Sequence, residues 1–193
     1  MISDAKEREN ICSLDLYKKL TKIKLLALDV DGVLTDASIN IGESGELFKA
    51  FNAKDGLGIS CALRSGLTIA IITGRKSAII HNRADELGIK FLSEGVKDKY
   101  SELVNLAKKL NLSQEEVAYM GDDLNDLAAF RAAGIKFAPF DAVDEIKACA
   151  DYIATKNGGR GAVREVIEKI LRAQGFWQGL VVAYANSGQG DKQ

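Results

Sequence analysis

The sequence predicts an α/β fold, a doubly wound, Rossmann-like parallel sheet with helices on both faces. Short apolar runs alternate with longer helix-like segments along most of the chain, which is the pattern of repeated βαβ units. The apolar runs are continuous, as in strands that are buried on both faces. Several of them end directly in acidic or small polar residues, and ligands of open α/β sheets bind beyond the carboxyl ends of strands.

Length and charge exclude several classes of protein. The chain of 193 residues suits one domain with a sizeable core. Its net charge of −1 gives no electrostatic footprint for nucleic acid or an anionic membrane. No apolar run approaches the roughly 20 residues of a membrane span. The three cysteines lack metal-type spacing, so we expect reduced thiols and, by elimination, a cytoplasmic protein.

The elements follow in order from a polar lead-in, residues 1–22, which contains a short helical piece over 11–20. The first strand is 25–28, and a β-hairpin insertion follows at 38–51, with strands at 39–41 and 47–51. The further predicted strands are 67–72, 89–92, 117–120, 135–138 and 152–154. Residues 52–58 lead into the first predicted helix of the domain, which ends at residue 63. The further predicted helices cover 76–87, 97–110, 125–133, 143–150 and 162–173.

These elements make one domain, residues 23–174, with the small hairpin insertion and no separate cap domain. A C-terminal tail, residues 175–193, is rich in Gly, Ser and Gln but contains an apolar stretch from Phe176 to Tyr184. That stretch is too apolar for a solvated tail. It either folds back on the core of its own chain or covers a neighbouring subunit.

Four segments place chemically active side chains at predicted strand ends or helix starts. They are Asp29 with Asp31, Thr73 with Arg75, Lys99, and Asp122 with Asp123 and Asp126. A carboxylate can attack a phosphoryl group through an aspartyl-phosphate intermediate, and a second acid can protonate the leaving oxygen. Mg²⁺ takes one or two carboxylates and the phosphate oxygens as ligands.

Each of these residues has a structural explanation when it is taken alone. Thr73 could be a helix N-cap, Lys99 a solvated helix residue and Asp126 an acid favoured by the helix dipole. Their joint order along the chain, D-x-D, T-G-R, K and G-D-D-x-x-D, favours phosphate-ester chemistry instead.

The same motifs resemble the haloacid dehalogenase (HAD) superfamily of phosphatases. More narrowly, the chain is similar to its capless branch, the phosphatases of 3-deoxy-D-manno-octulosonate 8-phosphate (KDO 8-phosphate) in lipopolysaccharide synthesis. The likeness covers about residues 22–173 and includes the stretches 51–59 and 158–166. It implies a HAD-like fold and Mg²⁺-dependent hydrolysis of KDO 8-phosphate to KDO and inorganic phosphate.

The resemblance also implies a role for each motif residue. Asp29 is the expected nucleophile and a metal ligand, Asp31 the general acid/base and a ligand through its backbone carbonyl, and Asp122 the third protein ligand. Asp123 and Asp126 support the metal site, and Thr73 and Lys99 hold the phosphoryl oxygens. The expected substrate contacts are Asp31, Asn52, Ala53, Lys54, Asp55, Gly56, Ser60, Arg75, Arg83 and Lys99. A homotetramer is implied as well, with hairpins packed together and neighbours covering each site.

Three positions depart from the pattern of this branch. Lys54 and Ser60 replace common arginines, and Lys97 lies in a run that usually ends in Ser-Asn-Lys. Lys97 is therefore a rival for the motif lysine, although the spacing favours Lys99. The departures leave a phosphatase of a nine-carbon sugar acid 9-phosphate, of the KDN or sialic acid type, as an alternative. A phospho-accepting receiver domain is disfavoured because receivers carry their acid pair early and the acceptor Asp in mid-chain. A non-catalytic partner of a sugar-nucleotide enzyme is disfavoured because every expected catalytic residue is present.

Overall fold

The structure, a computed structural model, describes residues 14–187. The predicted helix at 11–20 falls partly outside this range, and its described part, residues 14–20, forms helix α1. Within the described range, no helix has the length and apolar character needed to cross a membrane.

Six parallel strands form the central sheet. They are β1 (Leu25–Leu28), β4 (Thr68–Ile72), β5 (Phe91–Ser93), β6 (Val117–Met120), β7 (Ile135–Ala138) and β8 (Tyr152–Ile153), while β2 (Asn40–Gly42) and β3 (Gly45–Phe48) make a separate antiparallel hairpin. The strand order in the sheet is β5-β4-β1-β6-β7-β8. The chain therefore winds outward from β1 in one direction and then returns to wind outward from β6 in the other. This order confirms the doubly wound sheet and places the switch point between β1 and β6.

The helices cover both faces of the sheet. They are α2 (Ala53–Arg64), α3 (Ala78–Leu87), α4 (Lys99–Lys109), α5 (Leu127–Phe130), α6 (Asp144–Cys149), α7 (Ala162–Ala173) and α8 (Trp177–Ser187). Alternate strand residues point to opposite faces. Leu26 and Leu28 therefore belong to a core with Val166 of α7, and Leu25 belongs to a second core with Leu103 of α4.

Three local predictions need correction. Strand β3 ends at Phe48 instead of residue 51. Helix α2 begins directly at Ala53, because the Asn52 side chain caps it by accepting a hydrogen bond from Lys54 N at 2.8 Å. The predicted helix 125–133 is a 3₁₀ turn, Leu124–Asp126, followed by the short α5.

The C-terminal stretch forms a helix, α8, which the sequence analysis does not predict. Trp177 is buried at its start, with the guanidinium groups of Arg164 and Arg172 over its ring at 4.8 and 5.5 Å. Arg64 of α2 donates to the Tyr184 hydroxyl at 2.8 Å. This helix therefore folds back on its own core, while Val181 and Val182 remain about half exposed.

Candidate active site

Two acidic loops meet at the switch point of the sheet. Asp29 follows β1 directly and Asp122 lies two residues beyond β6, and these strands are neighbours with Leu28 paired to Met120. Gly32 makes this approach possible: it has φ +88°, and a Cβ there would overlap the Asp122 carboxylate. Two of the three predicted metal ligands, Asp29 and Asp122, are therefore brought together by strand pairing.

Lys99 and Asp126 complete a buried charged cluster beside Asp29. The Lys99 ammonium lies 2.9 Å from Asp29 Oδ2 and 2.6 Å from Asp126 Oδ1. Asp126 also accepts hydrogen bonds from the Tyr119 hydroxyl at 2.7 Å and from Asp122 N at 3.0 Å. Because Asp126 is fully buried and already accepts these bonds, its carboxylate is suited to hold its neighbours in place.

The structure also separates the two candidate lysines. Lys99 is the first residue of α4 and is 3 % exposed, whereas Lys97 is exposed outside the helix. Asp98 between them caps α4 by accepting from Ser101 N. Lys99 is therefore the lysine that reaches the acidic cluster.

The acids of this cluster disfavour each other's charge. Burial and the charge of Asp126 raise the pKa of Asp29 to about 6, against the attraction of Lys99. Burial and the charges of Asp29 and Asp126 raise the pKa of Asp122 to about 8. Burial alone would lower the pKa of Lys99, but Asp29 and Asp126 outweigh it and hold the pKa above its usual value. One lysine does not balance three carboxylates, so the site favours a further cation.

The residues fit a divalent metal ion. One oxygen from each of Asp29, Asp122 and Asp126 lies within 4.8 Å of the others. Asp122 Oδ1 is buried without a hydrogen-bond partner, which is costly for a carboxylate oxygen unless a cation binds it. Carboxylate oxygens are the ligands that Mg²⁺ prefers. Asp123 is exposed and caps the 3₁₀ turn through Leu124 N at 2.7 Å, so it shapes the loop that carries Asp122.

Asp31 lies at the edge of the cluster between two cations. Its Oδ1 contacts the Lys49 ammonium, and its Oδ2 lies 3.4 Å from Arg75 Nε. The Thr73 hydroxyl, at the end of β4, is 1 % exposed and accepts from Arg75 N at 3.3 Å. The predicted catalytic residues Asp29, Asp31, Thr73 and Lys99 therefore all lie at the carboxyl edge of the sheet.

The predicted substrate contacts on α2 and α3 have other partners in a single chain. Asp55 is buried and accepts from Gly161 N at 3.1 Å and Arg164 N at 2.7 Å, so it caps α7. Gly56 is buried against Arg83, which packs over the Phe51 ring at 5.6 Å and contacts Glu86 at 2.8 Å.

The remaining contacts of this set lie at the start and middle of α2. Asn52 and Ser60 are half-buried, and Ala53 and Lys54 are exposed. Lys54 lines a surface groove of about 630 Å³ together with Arg160. Asp55 thus contacts the start of α7, and Ala53 and Lys54 lie at the surface of the chain. Of the two predicted substrate arginines, only Arg75 contacts a predicted catalytic acid, Asp31.

Sequence reasoning missed two residues that contact predicted site residues: Lys49 contacts Asp31, and Tyr119 contacts Asp126. Lys49 follows β3 in a stretch that resembles a continuing strand, so its inward side chain gives no sequence signal. Tyr119 lies inside the apolar run of β6, where a tyrosine is ordinary core. Its hydroxyl signals a buried polar partner only once the fold places Asp126 beside it.

Fold and site define an α/β protein with an acidic, cation-binding centre at a switch point. A family model described as haloacid dehalogenase-like hydrolase matches residues 89–167. The chain is 47 % identical to the 3-deoxy-D-manno-octulosonate 8-phosphate phosphatase KdsC of Escherichia coli K12 over 163 residues, which cover 84 % of this chain and 87 % of the relative. It is 42 % identical over 165 residues to KdsC of Yersinia pestis, covering 86 % and 88 %.

Solved structures give the same result. The phosphatase of this name from Moraxella catarrhalis, in complex with magnesium, phosphate and KDO, has a TM-score of 0.86 and 45 % identity, covering 88 % of this chain and 98 % of that one. A probable YrbI family phosphatase from Pseudomonas syringae has a TM-score of 0.87 and 43 % identity, covering 92 % and 99 %. The chain therefore belongs to the 3-deoxy-D-manno-octulosonate 8-phosphate phosphatase family of haloacid dehalogenase-like hydrolases, which confirms the predicted resemblance.

Proposed function

We propose that this protein is an Mg²⁺-dependent phosphatase that hydrolyses KDO 8-phosphate to KDO and inorganic phosphate, a step of lipopolysaccharide synthesis. The buried contact of Asp29 with Lys99 beside Asp122 carries the reaction class. The named substrate of relatives at 42–47 % identity supports the substrate, as does the magnesium, phosphate and KDO complex of a relative with a TM-score of 0.86.

The reaction divides into two displacements. A carboxylate oxygen of Asp29 attacks phosphorus, and the bond between phosphorus and the sugar oxygen breaks while Asp31 gives that oxygen its proton. Asp31, now ionised, takes a proton from a water molecule whose oxygen attacks the phosphorus of the aspartyl phosphate. The bond to Asp29 then breaks, which releases phosphate and restores both acids.

Charge neutralisation is the main task of the other side chains. Lys99 and the Thr73 hydroxyl would hold the phosphoryl oxygens, because both lie buried at the edge where Asp29 emerges. Asp29, Asp122 and the backbone carbonyl of Asp31 would hold Mg²⁺, with Asp123 and Asp126 supporting them. The ion supplies positive charge that lets a carboxylate approach an anionic phosphate.

Only some of the substrate contacts proposed from the resemblance lie beside the catalytic acids. Arg75 is half-exposed beside Asp31 and is free to meet an anionic sugar acid with part of its guanidinium. Lys54, Ser60 and Arg83, with the start of α2, complete the proposed set. The compact ammonium group of Lys54 cannot make the bidentate carboxylate contact of an arginine. We therefore expect this chain to bind the sugar carboxylate with fewer hydrogen bonds than a relative that has arginine at this position.

We also infer a cytoplasmic homotetramer built from the 23–174 domain. Four large apolar side chains of the hairpin, Ile39, Ile41, Leu47 and Phe48, are 47–69 % exposed. A patch of this kind on a small antiparallel hairpin is expected to be covered by a partner. Packing of hairpins from several copies would cover it and would bring neighbours over each open site.

The test is phosphate release from a panel of sugar phosphates, with Mg²⁺ and with EDTA. The panel contains KDO 8-phosphate, a nine-carbon sugar acid 9-phosphate and glucose 6-phosphate. We expect Mg²⁺-dependent turnover that favours KDO 8-phosphate. A preference for the nine-carbon acid would keep the mechanism and replace the substrate. Absence of turnover across the panel by the folded, Mg²⁺-loaded protein would refute the proposal.

A further inference from the structure

A lysine of the hairpin is buried where its neighbours are exposed. All four residues of β3 are exposed, but the side chain of Lys49, which follows them, is 1 % exposed. Burying an ammonium group costs several kcal/mol unless it is paired with a charge of opposite sign. Lys49 has two such partners, Asp31 and Glu46, the latter at 3.1 Å.

The Asp31 carboxylate is held from two sides. Lys49 contacts Oδ1, and Arg75 Nε lies 3.4 Å from Oδ2. The two contacts differ in kind, because the Lys49 side chain is buried whereas that of Arg75 is 48 % exposed. Without Lys49, the carboxylate would be free to rotate toward Arg75, its remaining cation.

Lys49 is itself fixed to the rim of the site. Glu46 contacts Lys49 with Oε1 and the Ser77 hydroxyl with Oε2. Ser77 is the N-cap of α3, and its backbone N–H donates to Glu94 at 2.9 Å. These contacts lower the pKa of Glu46, mainly through the Ser77 hydroxyl, so Glu46 stays ionised beside Lys49. The chain Ser77–Glu46–Lys49 therefore ties the hairpin to the site.

We propose that Lys49 is a positioning residue that orients the Asp31 carboxylate toward the leaving oxygen of the substrate. This inference rests on the proposed function, in which Asp31 is the general acid/base. It gives the hairpin a second role, because the element that presents an apolar surface outward also supplies the cation that fixes a catalytic acid.

The test separates positioning of the acid from general damage by changing the leaving group. A sugar phosphate needs a proton on its leaving oxygen, whereas p-nitrophenolate departs from p-nitrophenyl phosphate without one. Single-turnover formation of KDO or of p-nitrophenolate, with enzyme in excess, reports the first displacement alone, because both products leave before the aspartyl phosphate is hydrolysed. General acid catalysis contributes about 10²- to 10⁴-fold to a reaction rate. Misplacing the acid in Lys49→Met should therefore lower the rate of KDO 8-phosphate cleavage about tenfold or more. The rate with p-nitrophenyl phosphate should change less than about threefold.

Three further variants make the result decisive. Asp31→Asn should show the same dependence on the leaving group, more strongly. Lys49→Arg keeps the charge and should recover most of the rate, and it also decides the matter if Lys49→Met fails to fold. Lys22→Met removes an exposed lysine that pairs with Glu115 at 2.7 Å, and it should behave as wild type.

The possible failures are distinguishable. Suppose that the loss of rate in Asp31→Asn depends on the leaving group, but Lys49→Met slows the hydrolysis of both substrates equally or of neither. Lys49 then does not position the acid, and the proposed function stands. A Lys49→Arg variant as slow as Lys49→Met on KDO 8-phosphate, with normal thermal unfolding, would also overturn the positioning role. If Asp31→Asn shows no dependence on the leaving group, the assignment of Asp31 fails and the inference fails with it.

Discussion

At the scale of single residues, the site combines acids that would repel one another without a cation. Asp29 is 4 % exposed and Asp126 is fully buried, and they share the ammonium of Lys99. Asp122 Oδ1 has no hydrogen-bond partner. A buried polar group that is left unpaired destabilises the fold. These residues therefore lower the stability of the metal-free protein, and they are arranged to bind a cation and an anionic substrate.

The first prediction concerns the nucleophile. Asp29→Asn should abolish phosphate release, because an amide oxygen cannot replace a carboxylate in forming the aspartyl phosphate. Thermal unfolding should remain cooperative with a similar midpoint, since Lys99 keeps Asp126 as a partner. Undiminished phosphate release by a normally folded variant would refute the assignment.

The second prediction follows from the raised pKa values of about 6 for Asp29 and about 8 for Asp122. Both carboxyls have a usual value of 3.8, so between about pH 4 and pH 8 the metal-free folded state binds more protons than the unfolded state. The free energy of unfolding of the metal-free protein should therefore fall as pH rises from 5 to 8. Mg²⁺ should raise the melting temperature more at pH 8 than at pH 5.5, because protonated carboxyls bind it poorly.

Differential scanning calorimetry with EDTA or with Mg²⁺ at both pH values measures this effect. Asp122→Asn is the matched control, since it removes the group with the higher pKa. Its metal-free stability should depend less on pH, and its response to Mg²⁺ should shrink. Metal-free wild-type protein that becomes more stable from pH 5 to pH 8 would contradict the prediction.

At the scale of elements, α7 is attached to the rest of the domain by an acid of α2. Asp55 accepts from Gly161 N and Arg164 N, the groups that begin α7. Burial raises the pKa of Asp55 against the stabilising effect of these two N–H groups. The loop before α7 in turn lies against the acidic loop, where Gly159 N donates to Val33 O at 2.9 Å. The position of α7 thus bears on the shape of the site.

The third prediction tests this cap. Asp55→Ala should lower the free energy of unfolding by about 1–3 kcal/mol, because two buried N–H groups lose their acceptor. Asp55→Asn keeps one carbonyl acceptor and should lose less. Urea denaturation of the two variants measures both values. Equal stability of Asp55→Ala and wild type would show that the cap does not hold α7.

At the scale of the whole molecule, the domain carries an uncovered apolar surface on its hairpin. Ile41 is 69 % exposed and Phe48 is 54 % exposed. Hairpins of two strands are marginally stable alone. The contacts of Lys49 and Glu46 hold one end of this hairpin, so assembly is expected to stabilise the other.

The fourth prediction concerns assembly. The double variant Ile41→Asp, Phe48→Asp should dissociate the proposed tetramer, because burying two charges in the proposed apolar contact between hairpins is costly. Light scattering coupled to size exclusion measures the mass. Tyr17→Asp changes an equally exposed aromatic residue of α1 and should leave the mass unchanged. A tetramer that survives the double variant would place the interface elsewhere.

Much of the site could be predicted from sequence because its acids lie in short, contiguous motifs. Asp29 with Asp31, and Asp122 with Asp126, each follow an apolar strand whose length and composition predict its burial. Parallel pairing then brings such strand ends to one edge. The doubly wound fold, the hairpin and the family were therefore accessible from local patterns alone.

Only the tertiary structure decided which side chains those acids meet. Lys49 lies 18 residues from Asp31 along the chain, and Arg64 lies 120 residues from Tyr184. Asp55 accepts a hydrogen bond from the backbone N–H of Gly161, which lies 106 residues away. Such contacts depend on how helices and loops pack, and no local periodicity encodes them. The sequence by itself determined the fold class and the positions of the candidate catalytic motifs. The packing decided that Lys49 turns inward, that Asp55 caps α7 and that the C-terminal stretch forms a helix on its own core.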